Sequence, residues 1–109
     1  METTLQEAAQ AASRAVMDAC RQARAAKQDP ALVTQLLQAG TGVGAAVCQA
    51  LYAPNPQEAS AALKAAQEAC GSCLELLGQL KAAGIPQAGE ALAPCGQLAE
   101  ALEQAGQQP

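Results

Sequence analysis

The chain has 109 residues, enough for one domain with a modest hydrophobic core. Hydrophobic residues make up 50% of it, yet Tyr52 is its only aromatic residue, so alanine, leucine, valine and cysteine must fill the core. Small side chains suit closely packed helices, whereas a β-sheet favours β-branched and aromatic residues. The net charge of −4 argues against nucleic acid as a partner, because nucleic-acid binding favours basic surfaces.

Turn signals divide the chain into four segments of helical length. The breaks lie at residues 29–30, 54–56 and 84–86, and each contains proline. They predict helices over about 3–27, 30–52, 56–83 and 86–105. Apolar residues recur every three or four positions in each segment. This pattern predicts an all-α fold, a single antiparallel up-down-up-down four-helix bundle.

Capping residues indicate where the predicted helices begin. Thr3 or Thr4 can cap the first helix, and Glu7 follows Thr4 by three residues, as in a capping box. Asp29 and Asn55 can cap the second and third helices, since each precedes a proline that suits a first helical turn.

The third and fourth helices contain less regular signals. Gly84 is expected to follow the end of the third helix, where glycine is favoured. Pro94 falls inside the fourth apolar pattern, where a proline removes a hydrogen bond and costs about 3 kcal/mol. We expect the fourth helix either to kink at Pro94 or to begin near Ala93, with residues 86–92 irregular.

The stretch LLQAGTGVGAAV, residues 36–47, contains Gly40, Gly42 and Gly44 and could be taken for a phosphate-binding loop. Its spacing does not fit the G-x-G-x-x-G dinucleotide motif, and no lysine follows as a P-loop requires. Leucines and valines keep a helical phase across the glycines, which predicts a continuous helix. Because each glycine costs about 1 kcal/mol against alanine in a helix, we expect the three glycines to serve packing or assembly.

The same stretch resembles the second-helix motif of the four-helix-bundle proteins related to those encoded by 23S ribosomal RNA intervening sequences. That motif reads approximately Q-L-L-R-S-G-T-S-I-G-A-N-V. The resemblance covers about residues 32–84 and includes the final leucines and the LKAAG turn of the third helix. It implies an antiparallel four-helix bundle that assembles with itself, since known relatives form homopentamers.

The chain departs from the family pattern at several positions. Gly42, Ala46 and Gln49 stand where the family has serine, asparagine and glutamate, and Glu75 and Leu76 stand at its aromatic positions. One branch, the accessory proteins of diversity-generating retroelements, binds reverse transcriptase and nucleic acid through basic surfaces. This acidic chain does not have those surfaces, so we do not expect that activity here.

The third helix carries more apolar residues than one bundle core is expected to bury. Leu74, Leu76 and Leu77, together with the Ala/Gly face of the second helix, predict a surface for self-association. We expect no apolar run of transmembrane length and no membrane partner. The N-terminal METTLQEAAQ does not have the basic flank or apolar core of a signal peptide, which predicts a cytoplasmic protein.

The five cysteines favour reduced thiols over a disulfide framework, because their number is odd and the chain reads as cytoplasmic. Cys70 and Cys73 form a C-x-x-C on one helix face, and Cys20 and Cys95 lie on the apolar faces of two other helices at similar heights. The main interpretation is that these thiols fill the core. The alternative is a soft-metal site in which the four thiols bind Cu(I) or Zn(II).

Catalysis and a cofactor are not expected. The chain has no histidine, the commonest general base, and its acidic residues are spaced singly along polar faces. The sequence therefore predicts a non-enzymatic bundle that acts by self-assembly or by binding a protein partner. Besides the soft-metal bundle, a second alternative is a helical adaptor domain excised from a larger cytoskeletal or scaffold protein.

Overall fold

The computed structural model describes residues 4–107, which form four α-helices joined by short turns. In chain order these are α1 (Leu5–Ala25), α2 (Pro30–Leu51), α3 (Pro56–Ala82) and α4 (Pro86–Gln107). Consecutive helices pack against each other, and α1 also packs against α4, which closes the bundle. The prediction of an all-α, antiparallel up-down-up-down four-helix bundle is confirmed.

The core is built from small residues and a few leucines, as the composition requires. α1 contributes Val16, Cys20 and five alanines to it. α1 and α3 meet across one diagonal of the bundle, while the described parts of α2 and α4 stay apart across the other. The largest fully buried side chains are five leucines: Leu36, Leu77, Leu80, Leu98 and Leu102.

Side-chain caps begin the first three helices. The Thr4 hydroxyl oxygen accepts a hydrogen bond from the Glu7 backbone N–H at 3.1 Å. The side chains of Asp29 and Asn55 accept equivalent bonds at 3.0 and 2.8 Å from the first turns of α2 and α3. The other cap considered for α1, Thr3, lies outside the described residues. These bonds satisfy N–H groups that a helix cannot pair internally.

α1 and α3 both end with a residue in the left-handed conformation. After α3 this residue is Gly84, with φ 95°, and the following Ile85 N–H donates to the Leu80 carbonyl at 3.1 Å. After α1 it is Lys27, with φ 59°. A side chain is strained in this conformation and glycine is not. The α1–α2 turn therefore carries a local strain that the α3–α4 turn avoids.

α4 is continuous through Pro94. The expectation that residues 86–92 are irregular and that the helix begins near Ala93 is wrong, because the helix already begins at Pro86. Ala88 and Ala91 on its first two turns are fully buried in the core. Their packing holds these turns in helical conformation although Pro94 cannot donate a backbone hydrogen bond.

α2 differs from the other helices in hydropathy. An 18-residue window within it has a mean hydropathy of 1.3, so by length and composition α2 is apolar enough to cross a membrane. The expectation that no segment reaches transmembrane length is corrected by this helix. In the bundle 33% of the window is buried, and the mostly buried core helix of a soluble protein or a signal sequence near an N-terminus passes the same test.

Candidate functional site

The three glycines of α2 contact two different helices. Gly40 is buried, and a Cβ atom placed on it would lie 2.8 Å from Cγ1 of Val16 on α1. At Gly44 a Cβ atom would lie 3.8 Å from a side-chain atom of α1, and at Gly42 it would lie 3.9 Å from the Ala69 Cβ atom of α3. Gly40 alone therefore requires the absence of a side chain for helix packing inside the bundle.

Four buried thiols from three helices lie in the core, and three of them lie beside Gly40. Cys20, Cys70, Cys73 and Cys95 are all buried, and no described cysteine is in a disulfide. The Cys70 thiol donates to the Cys95 carbonyl oxygen at 3.3 Å. Cys70, Cys73 and Cys95 also line a cavity of about 10 Å³, a volume that holds at most about one water molecule.

Burial keeps these thiols protonated. Burial, with smaller contributions from Cys70 and Cys20, raises the pKa of Cys73 to about 11. Burial, with contributions from Cys73 and Cys70, raises the pKa of Cys95 to about 12. Burial also raises the pKa values of Cys20 and Cys70. The thiolate is the nucleophile, so this environment disfavours nucleophilic chemistry at these cysteines near neutral pH.

The geometry gives no support to the soft-metal alternative. Among residues 4–107 no three cysteine, aspartate or glutamate side chains are arranged so that they could hold one metal ion. The thiols are buried in the hydrophobic core, where cysteine acts as a small apolar side chain.

We expect the free energy of unfolding to fall as the pH rises from about 9 to 12. The folded-state pKa values of about 11 and 12 for Cys73 and Cys95 lie above the ordinary value of 9.0. The folded state therefore binds more protons in this range, so the contribution of these two thiols to stability is fully present below pH 9 and is lost progressively as the pH rises toward 12. Urea unfolding followed by circular dichroism between pH 7 and 11 measures the slope.

Two cysteine variants distinguish the effect of the buried thiols on this pH dependence from the effect of other groups that titrate in the same range. A Cys73→Ala/Cys95→Ala variant should show a flatter decline than the native chain, whatever its stability at pH 7. Cys48→Ala, which removes the exposed thiol, should keep the native slope. Equal slopes in the native chain and the double variant would contradict the prediction.

The apolar surface of the bundle does not lie where the leucines of α3 predict it. Leu77 is fully buried, and Leu74 and Leu76 are half-buried against the core. The expectation that these three leucines exceed the capacity of one core is therefore wrong for Leu77, which the core covers completely. Among the residues that the structure describes, the exposed large apolar side chains lie elsewhere: Met17, Leu51 and Tyr52.

The end of α2 carries the most exposed of these side chains. Tyr52 exposes 79% of its surface and Leu51 exposes 44%. Tyr52 lies at one edge of an open groove of about 590 Å³ between the end of α2 and the start of α3. Ala61, Ala62 and Ala65 line the groove, and Glu58 is its only charged lining residue. The surface is thus an aromatic side chain beside a shallow apolar groove.

Comparisons of the chain with models of known protein families, with curated proteins and with solved structures gave no match. The resemblance to the intervening-sequence proteins therefore stays a prediction. Leu51 and Tyr52 did not stand out in the sequence as site residues, because Leu51 continues the apolar pattern of α2 and Tyr52 lies next to it at the predicted end of the helix. The adjoining turn at residues 54–56 was the available signal, since a helix end next to a turn is readily exposed.

Proposed function

We propose that the chain is a non-enzymatic, cytoplasmic helical-bundle protein that acts through self-assembly or by binding a protein partner. The observation that carries this proposal is the exposure of Tyr52 beside the alanine-lined groove. An aromatic side chain contributes more buried apolar area than any other residue type. In a chain with a single aromatic residue, its position at the surface favours use in an interface over use in the core.

The chemistry of the surface fits a protein interface. Interface centres are enriched in tyrosine and depleted in charged residues, and here Tyr52 and Leu51 adjoin a groove with one carboxylate. Alanines along the groove let another helix approach closely, because helix separation decreases with side-chain size. The resemblance of residues 32–84 to a self-assembling family agrees with assembly as one of the two modes.

The buried thiols support a role without catalysis. Their raised pKa values keep them protonated near neutral pH, so they contribute packing volume and not nucleophiles. The chain also has no histidine to act as a general base. A reducing compartment such as the cytoplasm would keep all five cysteines as the free thiols found in the structure.

Light scattering coupled to size-exclusion chromatography tests the proposal over a concentration series. We expect the native chain to exceed its monomer mass of 10.9 kDa, or to retain a protein partner on purification from its host. Tyr52→Ser should weaken the association, whereas Met17→Ser, at another exposed apolar side chain, should not. A native chain that stays monomeric and retains no partner would refute the proposal.

A further inference from the structure

The outer face of α2 is a continuous uncharged strip. Six side chains at alternating spacings of four and three residues point away from the core, and we call them the α2 strip: Thr34, Gln38, Thr41, Ala45, Cys48 and Tyr52. All six are exposed. α2 as a whole, residues 30–51, contains no aspartate, glutamate, lysine or arginine. A solvent-facing helix surface normally carries such residues.

The other three helices all carry charge on their exposed faces. α1 carries three arginines together with Glu7 and Asp18, and Arg21 pairs with Asp18. α3 carries three glutamates and two lysines. α4 carries only acidic charges, and all three are exposed: Glu90, Glu100 and Glu103. The α2 strip is therefore the one exposed helix face of the described bundle that is free of charge.

Charge complementarity favours a second copy of this chain as the occupant of the strip. In a two-fold symmetric interface the same patch lies on both subunits, so a patch with net charge repels itself. A symmetric interface through α4 would place the three carboxylates of one copy against the same three of the other, in a chain whose net charge is already −4. The α2 strip avoids this repulsion because it brings no charge against itself.

This inference rests on the self-assembly proposed above. We infer that two copies of the chain form a two-fold symmetric dimer in which their α2 helices pack antiparallel and cross at Ala45. Ala45 has the smallest side chain of the strip, and helices approach most closely where side chains are smallest. It also lies seven residues from both Gln38 and Tyr52. An axis at Ala45 therefore places Tyr52 of each copy against Gln38 of the other.

The region around Gln38 can receive a tyrosine ring. Gln38 lines a second open groove, of about 540 Å³, between α2 and α3. The apolar part of this groove is formed by Ala39 and the half-buried Leu76, and Glu75 of α3, outside the α2 strip, is its one charged lining residue. Tyr52 of one copy would cover both residues, and its hydroxyl would have the Gln38 amide as a hydrogen-bond partner. Leu76 would thus take part in assembly, as the sequence predicts, by contact with a tyrosine.

The contact area predicts a weak, concentration-dependent dimer. The overlapping part of α2, from Gln38 to Tyr52, is roughly 22 Å long, and the face formed with α3 is roughly 20 Å wide. Two such faces bury roughly 900 Å² in total, below the roughly 1,200–2,000 Å² of stable specific complexes. A lipid surface fits less well, because glutamine and threonine interrupt the strip where a membrane would require apolar side chains.

A single charge placed at the crossing point tests the interface. Ala45→Glu puts two carboxylates face to face across the two-fold axis and should weaken dimerisation at least about tenfold. Ala11→Glu makes the same change at an exposed position of α1 and should leave dimerisation unchanged. Circular dichroism should show native helix content in both, because both sites are exposed and glutamate is a good helix former.

A cross-link tests the position of the axis independently. In a Cys48→Ser background, Ala45→Cys places two thiols at the axis, where mild oxidation should yield a disulfide-linked dimer. Ala11→Cys in the same background is the matched control and should remain monomeric under the same oxidation. Non-reducing electrophoresis separates the two results, and the buried thiols are common to both variants.

The outcomes separate the interface from the wider function. A native mass that approaches twice 10.9 kDa, together with monomeric Ala45→Glu and dimeric Ala11→Glu, supports the inference. Native self-association that Ala45→Glu does not change, or a five-subunit mass, overturns the α2 contact and leaves self-assembly standing. A native chain that is monomeric at the highest concentration, whether or not it binds lipid vesicles, overturns both the contact and self-assembly.

Discussion

Replacing Gly40 by alanine is expected to lower the free energy of unfolding by about 1 kcal/mol, although alanine is the better helix former. A Cβ atom at this position would lie 2.8 Å from Cγ1 of Val16. Overpacking of this kind costs about 1–3 kcal/mol, while the gain in helix propensity is about 1 kcal/mol. Urea unfolding of the native chain and the variant measures the difference.

The neighbourhood of Val16 explains why the clash is not relieved easily. Valine is branched at Cβ and stiff about χ1, so Cγ1 cannot move without the rest of the side chain. The cavity that Val16 and Gly40 share with three of the thiols holds about 10 Å³, too little for a displaced valine side chain. Gly40→Leu adds three further carbon atoms to the same space and should cost about 3 kcal/mol.

Gly42 in α2 and Gly71 in α3 are the control positions, because each is also a glycine inside an α-helix. Gly42→Ala brings a Cβ atom to 3.9 Å from Ala69, an ordinary contact, and at Gly71 a Cβ atom meets nothing within 4 Å. Both substitutions should raise stability by up to about 1 kcal/mol through helix propensity alone. If Gly40→Ala were stabilising to the same extent, the close packing of α1 and α2 at Gly40 would be contradicted.

A second-site change identifies the clashing atom. Val16→Ala removes Cγ1, so it should cost less in the Gly40→Ala background than in the native chain. A double-mutant cycle then gives a coupling between the two sites that favours the double variant. Neither Gly40 variant should change nucleotide affinity, since the glycines lie within a continuous helix and not in a phosphate-binding loop.

The sequence was sufficient for the bundle because the relevant signals are local. The helix ends described by the structure lie within two residues of the predicted ones, since caps and prolines act on adjacent residues. The burial of the four thiols, and the placement of Cys70, Cys73 and Cys95 around one cavity, were also predictable. Helical periodicity gives the face of each cysteine, and a rise of about 1.5 Å per residue gives its height in an antiparallel bundle.

Features that depend on the packing of one helix against another were not predictable in this way. Gly40 and Gly44 share a face in the sequence, yet only Gly40 meets α1 closely, because the contact depends on the crossing of the two helices. The complete burial of Leu77 depends likewise on how the helices pack against one another. Tyr52 follows the last residue of α2 and lies off its apolar face, and the core does not extend to cover it.

Replacing Pro94 by alanine is expected to raise the free energy of unfolding by about 2 kcal/mol. Pro94 lies inside a helix that is already continuous, so the substitution supplies a backbone N–H donor for the Glu90 carbonyl without rearranging α4. Removing an internal proline gains about 3 kcal/mol in a helix, and about 1 kcal/mol is lost because the unfolded chain becomes more flexible. The midpoint of thermal unfolding should rise by about 10 °C.

Pro30→Ala is the matched control for this effect. Pro30 lies in the first turn of α2, where a backbone N–H has no partner within the helix and proline costs nothing in hydrogen bonding. Its replacement should therefore lower stability slightly, by up to about 1 kcal/mol through the unfolded state. An increase for Pro94→Ala together with a decrease for Pro30→Ala would assign the gain to the helix interior, because both variants lose the same proline ring. A decrease in both would instead mean that the half-buried Pro94 ring contributes packing worth more than the hydrogen bond it excludes.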